Sequence, residues 1–238
     1  EGKIQDARFR SQLDVNSSGT HNVTIFVSAD VQGYAFFRVI DELKAAVLGL
    51  SPADFFEEFI AGVGTTHFDH NRLDFVSEVL HEEYGISPTR NELIVVGSSK
   101  LGFALHAKMK NGNVVAPAFR NFGIESDIDL SICSTDLFNL LWHEISTYVC
   151  RQRYMPFRHK KLGDYFTYGW LRQDQLPYAP TPHLIRCDNL RLVCGKVRKD
   201  RLRGHPKVNF GIFHDLEHLK LYQARSVGAC RQNLENPL

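Results

Sequence analysis

Two short segments near the middle of the chain constrain its fold more than any other feature. Residues 92–96 read ELIVV and end at Gly97, a pattern typical of a strand that is buried on both faces. Residues 126–133 read SDIDLSIC and alternate strictly between polar and apolar side chains. Because successive side chains on a strand point to opposite faces, this second segment predicts a strand with one core face and one polar face.

The rest of the chain divides into a helical first part and a mixed second part. Residues 1–88 predict a mainly helical N-terminal lobe, and residues 89–238 a core of sheet and helices, so the expected fold class is α+β with a small mixed β-sheet. The expected helices cover residues 34–50, 52–60, 72–84, 100–109, 134–149 and 214–232, and the other expected strands cover residues 23–28, 189–194 and 207–213.

The alternating segment carries two acidic residues on its polar face. Asp127 and Asp129 are two apart, so on a strand their Cα atoms lie about 6.6–6.8 Å apart and both carboxylates project to the same side. Such a pair can bind two hard divalent cations about 3.5–4 Å apart, as phosphoryl or nucleotidyl transfer requires. A D-x-D motif alone is also compatible with a solvated acidic face.

A second motif stands about 30 residues upstream, where the first strand runs into Gly97, Ser98 and Ser99. Glycine allows the backbone to approach a phosphate closely, and hydroxyl and N–H groups at the start of a helix can bind phosphate oxygens. The combination of strand, Gly-Ser and helix with strand and D-x-D is more specific than either motif alone.

Together these residues resemble the nucleotidyltransferase superfamily of the DNA polymerase beta type, over about residues 92–150. The resemblance implies that Gly97 and Ser98 bind the phosphates of an NTP, with Ser99 beside them. It implies that Asp127 and Asp129 are the catalytic Mg²⁺ or Mn²⁺ ligands. Gly102 and Gly123 then correspond to flanking turns. The implied activity is transfer of a nucleoside monophosphate to a hydroxyl of RNA, protein, a nucleotide or another small molecule.

The sequence departs from the family pattern at the third carboxylate, which the family usually takes from a later strand. In residues 207–213 Asn209 occupies the expected position on the polar face. A neutral amide is a weaker Mg²⁺ ligand than a carboxylate and a poor base. Three alternatives therefore stay open. Catalysis uses the two aspartates alone, or Asp188 or Asp215 acts as the third carboxylate. In the third alternative the protein is an inactive relative that binds nucleotide, RNA or a protein partner.

Charge is distributed very unevenly although the formal net charge is only +1. Residues 1–150 carry 11 basic and 20 acidic side chains, whereas residues 151–207 carry 14 and 4. Aromatic side chains are interleaved with the basic ones, so residues 151–207 are a candidate surface for an RNA acceptor such as a tRNA end. There are three alternatives for these basic side chains: they pair with the acidic first part of the chain, they contact the NTP, or they face solvent.

Several other patterns bear on compartment and chemistry. Five cysteines without a C-x-x-C pair favour a reduced, cytoplasmic protein, and no apolar run reaches the roughly 20 residues of a membrane span.

Residues 214–218 match H-x-x-E-H, but no suitable acidic residue follows for a zinc peptidase. His67, His70 and His81 lack a metal-ligand spacing. Walker, Rossmann and serine-hydrolase motifs do not occur. Small nucleotidyltransferases that this chain resembles are common in bacterial toxin–antitoxin and phage-defence systems.

Overall fold

The computed structural model describes residues 37, 39–61, 68–123, 125–151, 159–177, 183–199 and 207–236. The helices are α1 (Ile40–Gly49), α2 (Pro52–Phe59), α3 (His70–Tyr84), α4 (Ser98–Leu101), α5 (Thr135–Arg151), α6 (His159–Phe166), α7 (Ile185–Lys199) and α8 (Leu216–Glu235). The strands are β1 (Leu93–Val96), β2 (Lys108–Lys110), β3 (Asn113–Ala116), β4 (Ile128–Cys133), β5 (Trp170–Arg172) and β6 (Val208–Phe213).

Four strands form a mixed sheet in the order β1, β4, β6, β5. β1 is antiparallel to β4, β4 is parallel to β6, and β5 is antiparallel to β6. β2 and β3 form a separate hairpin whose turn residues Asn111 and Gly112 have φ angles of 52° and 80°. Positive φ at both positions characterises the tight turns that join hairpin strands.

Helices cover both faces of this sheet. One face packs against α3, α5 and α7 through alternate strand residues, which include Leu93, Ile132 and Ile212. The opposite face packs against α1, α2 and α8, through Ile94 and Phe213 among others. On that opposite face the apolar residues occur only along part of the sheet, because β4 and β6 carry polar or small side chains at its other end. The second apolar layer is therefore incomplete and leaves a polar floor.

Side-chain caps and glycine stops set the helix boundaries that the sequence signals. The hydroxyl of Ser51 accepts a hydrogen bond from the Asp54 backbone N–H at 3.1 Å, with proline as the first residue of α2. Asp69 caps α3 in the same way through the Arg72 N–H at 3.1 Å. Gly85 ends α3 in the left-handed conformation, with φ of 70° and ψ of 17°.

Two predicted elements are wrong. The helix expected over 100–109 ends at Leu101, because Gly102 adopts a left-handed φ of 86° and Phe103 bridges to Asn121. The strand expected over 189–194 lies within α7. In α7 the buried residues recur at intervals of three and four, which a short apolar run does not reveal by itself. The run at residues 23–28 lies outside the described residues.

Of the helix expected over 34–50, α1 covers Ile40–Gly49, and residues 34–36 lie outside the described residues. The other predicted elements agree with the structure within a few residues. The last helix, expected over 214–232, spans Leu216–Glu235. The boundary at residue 88 is not marked by a break in packing, because α1 and α2 contribute to the layer that contains α8, and α3 to the layer that contains α7. None of the described helices combines the length and the apolar character needed to cross a bilayer.

Candidate functional site

The sheet register places the residues of both motifs side by side. Val96 on β1 pairs with Asp129 on β4, and Asp129 pairs in turn with Asn209 on β6. Gly97 follows directly after Val96, and Asp127 directly precedes β4. Three neighbouring strands thus bring Gly97, both aspartates and Asn209 to one end of the sheet.

Asn209 connects the two carboxylates. Its Nδ2 atom donates to Asp127 Oδ2 at 3.1 Å and to Asp129 Oδ1 at 3.3 Å. The Lys207 ammonium lies 3.7 Å from Asp127 Oδ1. Asn209 therefore stands between the aspartates, at the position where the resemblance to nucleotidyltransferases implies a third carboxylate.

Gly97 is required by both conformation and space. Its φ of 70° and ψ of −153° lie in a region that is essentially restricted to glycine. A Cβ atom at this position would lie 3.2 Å from Asp129 Oδ2, which is tighter than an ordinary contact. The glycine thus lets β1 turn into α4 immediately beside the Asp129 carboxylate.

The two serines of the Gly-Ser-Ser motif have different surroundings. Ser98 is half-buried and is the first residue of α4. The backbone N–H groups of the first residues of a helix have no carbonyl acceptor within the helix, so the Ser98 N–H makes no hydrogen bond within α4. Ser99 is fully buried, and its hydroxyl donates to the Val96 carbonyl at 3.0 Å. The expectation that Ser99 binds phosphate is therefore corrected, because its hydroxyl secures the turn between β1 and α4 instead.

Gly97, Asp127, Asp129 and Asn209 line a cleft of about 550 Å³ on the polar face of the sheet. Its walls come from α8 (Tyr222, Gln223, Ser226), from β5 and the turn after it (Trp170, Arg172, Asp174), and from Arg198 and Lys207. Gly97 lines the cleft, whereas Ser98 is not among the described lining residues. The cleft thus combines a carboxylate floor with cationic and aromatic walls.

Electrostatics in the cleft bear chiefly on Asp129. Desolvation by the surrounding protein raises the pKa of this carboxyl, although solvent reaches it through the cleft mouth. The hydrogen bond from Asn209 opposes that rise in pKa, and the nearby Asp127 charge adds to it. A cation bound between the two carboxylates would offset the repulsion that the Asp127 charge exerts on ionised Asp129.

Sequence reasoning missed the paired residues Arg172 and Asp174. The Arg172 Nε and Nη2 atoms donate to the two Asp174 carboxylate oxygens, each at 2.8 Å. Asp174 lines the cleft, and its charge contributes to the raised pKa of Asp129. The alternation of Trp170, Leu171 and Arg172 was the available signal for a strand, but nothing local indicated that this strand joins β6.

The two acids considered as substitutes for the third carboxylate lie elsewhere. Asp188 is on α7 and pairs with Arg191 at 3.0 Å. Asp215 follows β6 at the end opposite to Asn209 and caps α8 by accepting from the His218 N–H at 2.9 Å. Neither lines the cleft, so both alternatives are corrected by their placement in the fold.

Some basic side chains of residues 151–207 form ion pairs with other helices, and others line the cleft. Lys196 donates to Glu82 at 3.2 Å and Glu83 at 2.8 Å, so part of the positive charge neutralises α3. Arg198 lines the cleft and donates through Nε to the Val208 carbonyl at 3.1 Å. The side chains of Arg153, Arg158, Lys160, Lys161, Arg201 and Arg203 lie outside what the structure describes.

A histidine cluster lies apart from the cleft, at the start of α8. His214 Nδ1 and His218 Nδ1 lie 2.8 and 2.7 Å from the Asp215 carboxylate oxygens. These contacts hold the pKa of Asp215 well below its ordinary value although burial opposes the shift. The three side chains are close enough to share a metal ion, but their mutual bonds and the cap on α8 already account for the cluster. His81 contacts Ser87, and His67 is outside the described residues.

Comparison of the chain with protein-family models, with curated proteins and with solved structures finds no match. The resemblance to nucleotidyltransferases accordingly rests on the Gly-Ser and D-x-D residues themselves.

Proposed function

We propose that this protein is a nucleotidyltransferase, dependent on Mg²⁺ or Mn²⁺, that transfers a nucleoside monophosphate from an NTP to a hydroxyl acceptor. The observation that carries the proposal is the meeting of Gly97, Asp127 and Asp129 at one end of the sheet, in a cleft that also contains cationic side chains. Hard divalent cations prefer oxygen ligands, and phosphates prefer cations and backbone N–H groups. The cleft offers both within one cavity.

The donor set fits a divalent cation. Asp127 and Asp129 present carboxylate oxygens toward a shared point, marked by the single Asn209 amide that contacts both. Rotation of that amide by half a turn replaces its N–H groups with its carbonyl oxygen, which is a neutral metal ligand. Bound Mg²⁺ or Mn²⁺ would supply neutralisation of the negative charge that builds on the NTP phosphates during transfer.

The chain's own residues then position the two reactants. The glycine conformation at Gly97 allows the triphosphate to approach the backbone, with Ser98 beside it, and Lys207, Arg198 and Arg172 supply positive charge along the cleft. In the reaction the acceptor oxygen forms a bond to the α-phosphorus, the bond from that phosphorus to the pyrophosphate oxygen breaks and pyrophosphate leaves, and the proton of the acceptor hydroxyl passes to water. In-line positioning of the two oxygens and stabilisation of the phosphate charge together accelerate such a transfer.

RNA is the favoured acceptor, because the cleft and its surroundings combine cationic with aromatic side chains. A protein hydroxyl is the other macromolecular acceptor that the family resemblance implies. The same resemblance suggests a setting in a bacterial toxin–antitoxin or phage-defence system.

One observation favours a second candidate function. Asn209 occupies the position of the third carboxylate and bonds to both aspartates, which a chain without catalytic activity would tolerate. In this alternative the fold serves as a binding module for nucleotide, RNA or a partner protein. Substitution Asn209→Asp separates the two: increased transfer identifies a weakened enzyme, and absence of transfer in both forms favours the binding module.

Pyrophosphate release tests the proposed activity. The protein is incubated with each NTP, Mg²⁺ or Mn²⁺, and total cellular RNA or protein. Wild type and Asp136→Asn, which removes one exposed acid from α5, are expected to release pyrophosphate from at least one NTP. Asp127→Asn and Asp129→Asn are expected to release none. Equal release by Asp127→Asn and wild type would refute the assignment of the site.

A further inference from the structure

A second cavity of about 650 Å³ opens from the cleft along α8. We call it the aromatic groove and define it by Tyr165, Tyr168, Trp170, Tyr222 and Arg225. Trp170, Tyr222 and Ser226 line both cavities, so the groove is continuous with the site that holds Asp127 and Asp129. A chain seated in the groove would therefore extend directly into the cleft.

Aromatic rings form the wall between the two cavities. Trp170 lies 4.8 Å from Tyr165 and 4.5 Å from Tyr222, measured between ring centroids, and it stacks on Phe213 with planes 8° apart. A Cβ atom on Gly211 would lie only 2.9 Å from Trp170 Nε1, so the indole rests on the sheet where a glycine makes room for it. The ring is thus held in a fixed position at the junction of cleft and groove.

Trp170 also carries an unsatisfied donor. Its Nε1 atom is shielded from solvent and has no acceptor within the part of the chain that the structure describes. Buried donors of this kind are rare in folded proteins. A ligand atom that accepts a hydrogen bond from this N–H would remove the imbalance.

Charge in the groove suits an anion. The Arg225 guanidinium lies 4.4 Å from the centroid of the Tyr168 ring. Arg172 lies in the adjoining cleft, 5.8 Å from both the Tyr165 and Trp170 rings, and is paired with Asp174. No acidic side chain is found among the described residues that line the groove. A guanidinium stacked on an aromatic ring, as that of Arg225 is, can still donate from its N–H edge to phosphate oxygens.

From these features we propose that the aromatic groove binds unpaired nucleotides of a single-stranded RNA and leads the RNA hydroxyl into the cleft. Every base has a flat face, so the tyrosine rings stack on bases without requiring a particular sequence, while Arg225 binds a phosphate between them. As a statement about the acceptor, this proposal rests on the proposed function. As a statement about binding, it can be measured without NTP, metal or turnover.

The test uses intrinsic fluorescence with a 12-nucleotide oligouridylate as the probe. Substitution Trp142→Phe leaves Trp170 as the single tryptophan, because the chain has two. The titration is done in EDTA, so that binding does not depend on metal at Asp127 or Asp129. Quenching of Trp170 reports occupation of the groove, and the dependence of the dissociation constant on salt reports phosphate contacts.

Two matched pairs of variants and one further control make the test specific. Tyr168 is 43% exposed, so its substitution is not expected to disturb folding. Tyr168→Ala should weaken RNA binding about fivefold or more, whereas Tyr168→Phe keeps the stacking ring and should bind like wild type. Arg225→Ala should lower the slope of log affinity against log salt by about 0.7. Arg191→Ala removes a cation from α7 that lines neither cavity and should leave that slope unchanged, and Leu221→Ala should leave binding unchanged.

The outcomes separate this proposal from the proposed function. Loss of RNA binding in Tyr168→Ala together with retained binding in Asp127→Asn supports the groove whether or not nucleotide transfer is detected. Equal binding by wild type and Tyr168→Ala would overturn the groove proposal even if transfer occurs. Quenching by uridine monophosphate that matches quenching by the oligomer, and that Tyr168→Ala abolishes, would overturn it as well, because the groove would then bind the base of the NTP.

Discussion

Replacement of Gly97 by alanine perturbs the site at the point where backbone conformation and carboxylate placement meet. Gly97 has φ of 70° and ψ of −153°, and a methyl group there would lie 3.2 Å from Asp129 Oδ2. Holding a residue other than glycine in such a region costs about 1–3 kcal/mol. For a domain of this size that cost corresponds to a decrease in Tm of about 2–12 °C, at about 2–4 °C per kcal/mol.

The contact with Asp129 adds a functional effect that the strain alone does not produce. The carboxylate must move by a few tenths of an ångström, which changes its distance from Asp127 and Asn209. We therefore expect Gly97→Ala to weaken the stabilisation that Mn²⁺ gives to the folded protein, in addition to lowering Tm. Saturating cation at ten times its dissociation constant would stabilise the wild type by about 1.4 kcal/mol, so the loss is measurable by thermal unfolding.

Gly85→Ala is the matched control for this experiment. Gly85 also has φ of 70°, but a Cβ atom there meets nothing within 4 Å. Gly85→Ala should lower Tm and leave the shift caused by Mn²⁺ intact. If Gly97→Ala unfolds at the wild-type temperature, or responds to Mn²⁺ as Gly85→Ala does, the argument for Gly97 beside Asp129 is refuted.

Two further predictions concern the charged groups at the ends of β4 and β6. The pKa of Asp129 is raised in the fold, so ionisation of this carboxyl destabilises the protein. Relative to Asp129→Asn, wild type should therefore lose stability as pH rises from 3.8 through the raised pKa. Urea unfolding of the two proteins at a series of pH values checks this. A difference between the two proteins that stays constant with pH would contradict the desolvation of Asp129. Asp215→Ala removes the cap from α8 and should cost about 0.5–2 kcal/mol in urea unfolding at neutral pH. Because the pKa of Asp215 is lowered, the stabilising effect of its carboxylate should disappear only as pH falls below 3.8 toward the lowered pKa. An unchanged urea midpoint in Asp215→Ala would contradict the role of Asp215 as a cap.

The residues at the floor of the cleft could be anticipated because their signals are local. Alternation in residues 126–133 places Asp127 and Asp129 on one face of a strand, and the same period in residues 207–213 places Asn209 on the polar face. Parallel pairing of β4 and β6 then puts Asn209 beside Asp129. Where one face of a strand is buried, the alternation of apolar and polar residues in the sequence fixes which side chains face the core.

The walls of the cleft could not be anticipated because tertiary packing brings them there. Trp170 and Arg172 reach the site only because β5 pairs with β6, and Tyr222 only because α8 crosses the incompletely covered sheet face. No spacing in the sequence encodes either contact. Ser99 was misassigned for a related reason, since the motif does not show that its hydroxyl turns inward to the Val96 carbonyl.

Label transfer from NTP tests the central claim most directly. Wild type and the Asp127→Ala/Asp129→Ala double variant are incubated with each α-labelled NTP, Mg²⁺ or Mn²⁺, and total cellular RNA or protein. The account predicts that label becomes attached to a macromolecule, foremost RNA, with wild type only. No transfer from any NTP to any acceptor, by a wild-type protein that still binds nucleotide, would contradict the nucleotidyltransferase assignment.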